Sequence, residues 1–121
     1  MHLQESGEMY LEAILVLSQR GKPVRSIDVG EYLGYTKPSV SRAMSLLRGG
    51  GYVLTDKDGF LSLTEAGLEV AERIYERHRV LSTLFMSLGV DEETATEDAC
   101  RIEHVISSKT FEALKRYHEV P

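Results

Sequence analysis

Leu33-Gly34-Tyr35-Thr36-Lys37-Pro38-Ser39-Val40-Ser41-Arg42 is the stretch on which the reading of this chain turns. Gly34 closes one helix, because glycine adopts the left-handed backbone that ends helices without a steric penalty. Thr36 has the position and the hydroxyl of an N-cap for the next helix, and Pro38 fits its first turn, where a missing N–H matters least. Val40, Met44 and Leu47 then recur at helical spacing as a buried stripe, and Gly49-Gly50-Gly51 stops the helix. Upstream, Ser26 is expected to cap a short helix carrying Ile27, Val29, Tyr32 and Leu33. Before it, Gly21-Lys22-Pro23 ends a first helix over residues 8–18, with Met9, Ala13, Leu15, Val16 and Leu17 at roughly helical spacing. Downstream, Tyr52–Thr55 and Phe60–Thr64 flank Asp56-Lys57-Asp58-Gly59, which reads as a hairpin. Two short helices joined by Gly34-Tyr35-Thr36 and followed by a hairpin are the order of a winged helix-turn-helix.

The second half reads as helices. Thr64 caps a long one that ends near Leu88 at Gly89, Asp91 opens another through about Ile106, and Ser108 opens a last one toward Tyr117. The expected fold is mostly α with a small β-hairpin. Residues 1–63 form a winged helix-turn-helix DNA-binding domain, and residues 64–121 a helical metal-binding and dimerisation domain. Ile74, Leu81, Leu84, Phe85 and Met86 on the long helix point to a homodimer interface, with an internal core as the alternative.

Composition narrows the function. The 121 residues are 42% hydrophobic and 27% charged, with no N-terminal leader pattern and no apolar run of membrane-spanning length, so a cytoplasmic globular protein is expected. One cysteine cannot staple the fold, which suits a reducing compartment. A net charge of −5 looks unsuited to DNA, but it conceals an asymmetry. Between Arg20 and Ser62 seven basic residues face four acids, a local excess of +3, whereas the flanks carry seven basic residues and fifteen acids. The positive potential is therefore local, as phosphate contact requires.

In the winged-helix arrangement the helix from Thr36 enters the major groove N-terminus first. Thr36, Lys37, Pro38, Ser39, Ser41 and Arg42 lie there, with hydroxyls and cations able to reach phosphates and base edges. Arg25 and Ser26, at the entry to the preceding helix, and Lys57, at the hairpin tip, are candidates for backbone contact. The plainer alternative is a solvated, hydroxyl-rich face, since such units also occur in protein-interaction domains.

A second constellation lies near the C-terminus. Cys100, Glu103 and His104 stand at i, i+3 and i+4 on the expected helix, so thiolate, carboxylate and imidazole share one face and can chelate a divalent metal. Against this, a lone cysteine is often a small buried hydrophobe, and Glu-His pairs are common on helix surfaces. Met9 and Glu12 are spaced i, i+3 on the first helix, and His78 lies between Arg77 and Arg79 on the long one. Spacing alone does not bring these places together.

Glu8-Met9-Tyr10-Leu11-Glu12 and Ala99-Cys100-Arg101-Ile102-Glu103-His104-Val105 resemble the iron- and manganese-dependent repressors of the diphtheria-toxin-repressor family. Thr36-Lys37-Pro38-Ser39-Val40-Ser41 is similar to that family's recognition-helix start, and Leu63-Thr64-Glu65-Ala66-Gly67 with Arg77-His78-Arg79 to its linker helix. The resemblance covers nearly the whole chain in order, and implies a metal-dependent regulator of metal-homeostasis genes acting as a repressor. It also implies a short form without the SH3-like domain of longer members, similar to the manganese-sensing branch. By matched position, Met9, Cys100, Glu103 and His104 correspond to the primary regulatory site of the iron-sensing branch, and Glu12 and His78 to ligands of the manganese-sensing branch. The iron branch's ancillary site is not intact, because Ser82 and Thr96 stand where a carboxylate and a histidine belong; His78 and Glu12 are then candidates to join the main cluster, with Glu97 nearby.

Soft sulfur from Met9 and Cys100 favours Fe²⁺, with Mn²⁺ as runner-up and other divalent transition metals binding in vitro. The expected partners are a second copy of the chain and double-stranded DNA. A dimer would read a palindromic operator whose half-sites lie one helical turn, about 34 Å, apart. No HExxH, phosphate-cradling loop or nucleophile-base pattern is present, so neither catalysis nor a small organic substrate is expected. A winged-helix thiol sensor using Cys100 without metal is the rival reading.

Overall fold

The protein is described here by a computed structural model covering residues 5–119. The elements run α1 (Glu5–Ser18), β1 (Val24–Arg25), α2 (Ser26–Leu33), α3 (Lys37–Gly49), β2 (Val53–Thr55), β3 (Phe60–Leu63), α4 (Glu65–Ser87), α5 (Glu92–Ile102) and α6 (Ser108–Glu119). They form two compact units, Met1–Glu72 and Arg73–Pro121, whose boundary falls within α4.

The first unit is a winged helix-turn-helix. Leu11, Ile14, Val29, Val40, Met44 and Val53 are almost fully buried, so α1, α2, α3 and the sheet share one core. Gly34, at φ 75°, ends α2 and donates its N–H to the Gly30 carbonyl at 2.8 Å. Thr36 then caps α3 with its hydroxyl facing the Ser39 N–H at 3.4 Å, as its position in the sequence implies. In the wing turn Asp56 Oδ1 accepts from the N–H groups of Asp58 (2.8 Å) and Phe60 (2.9 Å). Gly59 supplies the positive φ of 85° that this turn needs.

Two local expectations are corrected. The sheet has three strands in the order β1-β3-β2, because Val24 and Arg25 pair antiparallel with Leu61 and Phe60. A two-residue strand beside Pro23 leaves no alternation to read in sequence. That pairing holds Arg25 extended, so Arg25 occupies the N-cap of α2 and Ser26 is already helical; Asp28 completes the start by accepting the Arg25 N–H at 2.8 Å. Of the apolar residues on α2, Val29 is buried, whereas Ile27 and Tyr32 are 48% and 45% exposed.

Thr64 is the hinge between wing and long helix. Its hydroxyl donates to the Gly51 carbonyl at 2.6 Å and accepts the Gly67 N–H at 3.1 Å. Gly67 is buried against the Tyr52 backbone, and a Cβ there would collide with the Tyr52 carbonyl oxygen.

The second unit is helical. Leu81, Ala99 and Phe111 form its centre, with Val80, Phe85, Ile102, Ile106 and Leu114 packed around them. Ile74, Leu81 and Leu84 are buried within the chain, while Met86 is 39% exposed. Asp91 caps α5 by accepting the Thr94 N–H at 3.0 Å. The helix ends at Ile102, four residues short of the expected end, so Glu103 and His104 lie in the turn that follows and not on a helix face. Here the carbonyls of Glu103 and Ile106 are taken by the Arg77 side chain, and Ser107 begins a new cap by accepting the Thr110 N–H at 3.1 Å. Among the described residues no helix is long and apolar enough to cross a membrane.

Two outcomes are expected. Gly67→Ala forces the Tyr52 backbone to move, so thermal or urea unfolding should show a loss of about 2 kcal/mol, the scale of overpacking at a rigid site. The hydrogen bonds from the Thr94 backbone and hydroxyl hold the Asp91 carboxyl below its usual value. Its contribution to α5 is thus complete above the ordinary aspartate pKa and is lost as pH falls through the lowered one. Asp91→Asn keeps a capping oxygen, so acid unfolding followed by helical circular dichroism should show this component of the pH dependence removed, with helicity at neutral pH retained.

Candidate metal centre and nucleic-acid interface

In the second unit, α4 and the α5–α6 turn bring three of the candidate ligands together. Glu103 is completely buried, and its Oε2 lies 2.8 Å from His78 Nδ1. Its other oxygen, Oε1, is 3.4 Å from Nε2 of His104, whose side chain is also fully buried. Among the described residues Oε1 accepts no hydrogen bond. A buried carboxylate oxygen normally recovers its lost hydration through donors, so an oxygen aimed at an imidazole nitrogen without one marks a place for a cation. One carboxylate and two imidazoles suit a borderline divalent ion such as Fe²⁺, Mn²⁺ or Zn²⁺, so the donor set fits a metal.

The remaining candidates belong to α5 and α1. Cys100 is exposed on α5. Met9 and Glu12 are half-buried on α1 in the first unit. There the Tyr35 hydroxyl donates to the Met9 sulfur at 3.1 Å, and the Tyr35 ring packs edge-on against Tyr10 with centroids 5.7 Å apart. Burial, reinforced by Tyr35, raises the Tyr10 pKa, so Tyr10 remains a neutral phenol. Glu97, the nearby residue considered from sequence, is exposed on α5, and the Ser82 hydroxyl donates to the His78 carbonyl at 2.7 Å.

The residues expected to face DNA belong to the first unit. Arg25, Thr36, Lys37, Pro38, Ser41, Arg42 and Lys57 are exposed, while Ser26 and Ser39 are partly covered. Ser39 is drawn inward by the cap, its hydroxyl accepting from Thr36 Oγ1 at 2.9 Å. The Arg25 guanidinium lies over the Phe60 ring, 4.4 Å from its centroid, which ties it to the wing. A groove of about 770 Å³ opens between α2 and α3, with Ile27, Tyr35, Thr36, Lys37 and Ser41 among its walls. Sequence reading missed Ile27 and Tyr35 on this face. An amphipathic pattern assigns isoleucine to the core, and only its place one turn before Glu31 hinted otherwise.

Helix-turn-helix, wing and a His-Glu-His cluster around the buried Glu103 define the class of winged-helix, metal-dependent transcription regulators. Residues 2–61 match the family model of the iron dependent repressor N-terminal DNA binding domain, and residues 64–121 that of the iron dependent repressor metal binding and dimerisation domain. The chain belongs to the iron-dependent repressor family and is a metal-dependent DNA-binding regulator of that family. It is 32% identical over 119 residues to an uncharacterized HTH-type transcriptional regulator of Methanocaldococcus jannaschii, covering 97% of this chain and 95% of that one. It is also 32% identical over 106 residues to the iron-dependent repressor IdeR of Mycobacterium tuberculosis, covering 87% of this chain and 46% of IdeR. The structure of the manganese regulator SloR matches with a TM-score of 0.84 at 28% identity, covering 100% of this chain and 56% of SloR.

Proposed function

We propose that this chain is an Fe²⁺-responsive repressor of metal-homeostasis genes, working as a cytoplasmic homodimer on a palindromic operator and not as an enzyme. The observation that carries the metal half is the buried Glu103 carboxylate between His78 and His104. In this reading His78, Glu103 and His104 hold the ion, Cys100 adds a thiolate, and Met9 and Glu12 of the first unit complete the set. When bound, the ion would supply a charge-dense Lewis-acidic centre. The chain's own contribution is differential: its donors would hold the ion more tightly in the DNA-competent state than in the other. Metal favours the DNA-competent arrangement by no more than that difference in affinity.

On the DNA side, Lys37 and Arg42 are placed for phosphates, and Thr36, Ser39 and Ser41 for base edges or phosphates. Pro38 and Ile27 offer apolar surface for thymine methyl groups. Arg25, Ser26 and Lys57 extend the basic contact on either side.

A manganese-responsive repressor is the second reading, and a specific observation supports it. The Met9 sulfur already accepts a hydrogen bond from Tyr35, and the buried cluster itself contains only oxygen and nitrogen donors. Calorimetric titration of metal-stripped, anaerobic protein separates the two. Tight saturable Fe²⁺ binding, weakened about tenfold or more by Cys100→Ala and weaker still for Mn²⁺, is the expected result. Equal affinities insensitive to Cys100→Ala would identify manganese as the working ion, and no binding of either would leave the metal-free thiol sensor. Glu12→Gln should lower affinity in the same titration, and unchanged stoichiometry and affinity would remove Glu12 from the set.

The DNA reading is tested separately. Lys37→Ala should weaken binding to all sequences and reduce the slope of log K against log salt by about 1, the effect of one lost phosphate contact.

A further inference from the structure

We propose that Arg77 is the positioning residue of the candidate metal centre: its guanidinium sets the turn that presents Glu103 and His104 to His78. The inference rests on the metal-binding reading above and assigns the group that fixes its geometry.

Arg77 is 7% exposed, although guanidinium groups are rarely buried without a specific task. Its Nη1 donates to the carbonyl oxygens of Glu103 at 3.1 Å and Ile106 at 2.8 Å, and its Nη2 to Ser108 Oγ at 3.0 Å. Those acceptors bracket the turn from the end of α5 to the start of α6. The guanidinium carbon also lies 5.5 Å from the Phe111 ring centroid, so an aromatic face helps to hold the fork. Carbonyls at the end of a helix have no intrahelical partner and carry the negative end of its dipole, so a cation there is well placed.

The position of Arg77 in sequence gives this clamp its consequence. The next residue on α4 is His78, whose Nδ1 meets the Glu103 carboxylate at 2.8 Å. Two adjacent residues of one helix therefore grip one residue of the turn, Arg77 by its backbone and His78 by its side chain. With both ends fixed, the Glu103 carboxylate has little freedom to rotate away from His104. Lysine cannot reproduce this hold, because its ammonium is a single point donor and the arginine fork reaches three separated oxygens. Metal ligands depend on such supporting contacts for their orientation.

The test uses the full chain with three readouts: thermal midpoint, side-chain ¹⁵N shifts of His78 in metal-free protein, and calorimetric affinity for Mn²⁺ under anaerobic conditions. Arg77→Lys should alter the His78 ring signals before any metal is added and weaken Mn²⁺ binding by about 10–100-fold, the range for losing a ligand-orienting contact. Leu81→Val trims the same core without touching the clamp, and should lower the thermal midpoint while leaving the His78 signals and the affinity alone. Should Arg77→Lys fail to fold, Ser108→Ala removes only the Nη2 acceptor and should move both readouts in the same direction by a smaller amount. Unchanged His78 signals in the folded variant, or an equal affinity loss in Leu81→Val, would overturn the proposal. A wild-type chain that binds no metal would refute the reading on which the site rests, while the metal-free His78 signals would still decide whether the clamp holds the turn.

Discussion

Glu103 imposes the strictest physical demand in the second unit. An ionised carboxylate removed from water loses solvation worth several kcal/mol or more, and it persists only where nearby groups supply compensating charge or hydrogen bonds. Here His78 meets one carboxylate oxygen at 2.8 Å, while the other faces the His104 imidazole at 3.4 Å without a hydrogen bond, which leaves a place for a cation. Burying Glu103 thus requires α5 to end at Ile102, α4 to face the turn, and Arg77 to take up the freed carbonyls. The apolar cluster of Leu81, Ala99 and Phe111 supplies stability around this arrangement but does not specify it. Apolar packing tolerates volume-conserving change, whereas a buried charge tolerates little.

The first unit answers to a different constraint, the angle at which α3 leaves α2. Gly34 takes the left-handed conformation, and the Gly30 carbonyl accepts both the Gly34 and the Tyr35 N–H groups, at 2.8 and 2.9 Å. Thr36 starts α3 immediately afterwards, so the exposed side of its first turn is determined by three consecutive residues. A Cβ on Gly30 would stand 3.3 Å from both the Tyr35 carbonyl oxygen and a Val40 methyl, so the close approach of the two helices depends on that glycine too. The reading face is rigid where it must be, at its N-terminal turn.

Much of this was legible in sequence because it rests on local rules. Gly34, Thr36, Gly59, Thr64, Gly89 and Asp91 each act through their own backbone or a neighbour within a few residues, and each lies at the helix end or turn expected of it. The failures share a cause. β1 exists only because β3 passes beside it, the exposure of Ile27 is set by which face α2 turns to α1 and α3, and the early end of α5 follows from Arg77, 26 residues before Glu103. Spacing placed Glu103 and His104 together on a helix face, whereas they share the turn after α5. The link from Tyr35 to Met9, across 26 residues, had no local signal at all.

That link bears on metal choice. A thioether is a soft donor, and its preference for later or softer metals depends on an available sulfur lone pair. In the first unit the Tyr35 hydroxyl occupies part of that donor capacity, so Met9 is a poorer ligand than an isolated methionine. The clustered donors of the second unit are an oxygen and two imidazole nitrogens, which discriminate only weakly between iron and manganese. On the proposed reading, selectivity therefore resides in the two sulfurs, and chiefly in Cys100. An exposed cysteine on α5 is also the ligand most open to oxidation, so the residue that tilts the centre toward iron is the one an oxidant would remove first. Metal preference and oxidant sensitivity in this chain would then be a single property, carried by one thiol.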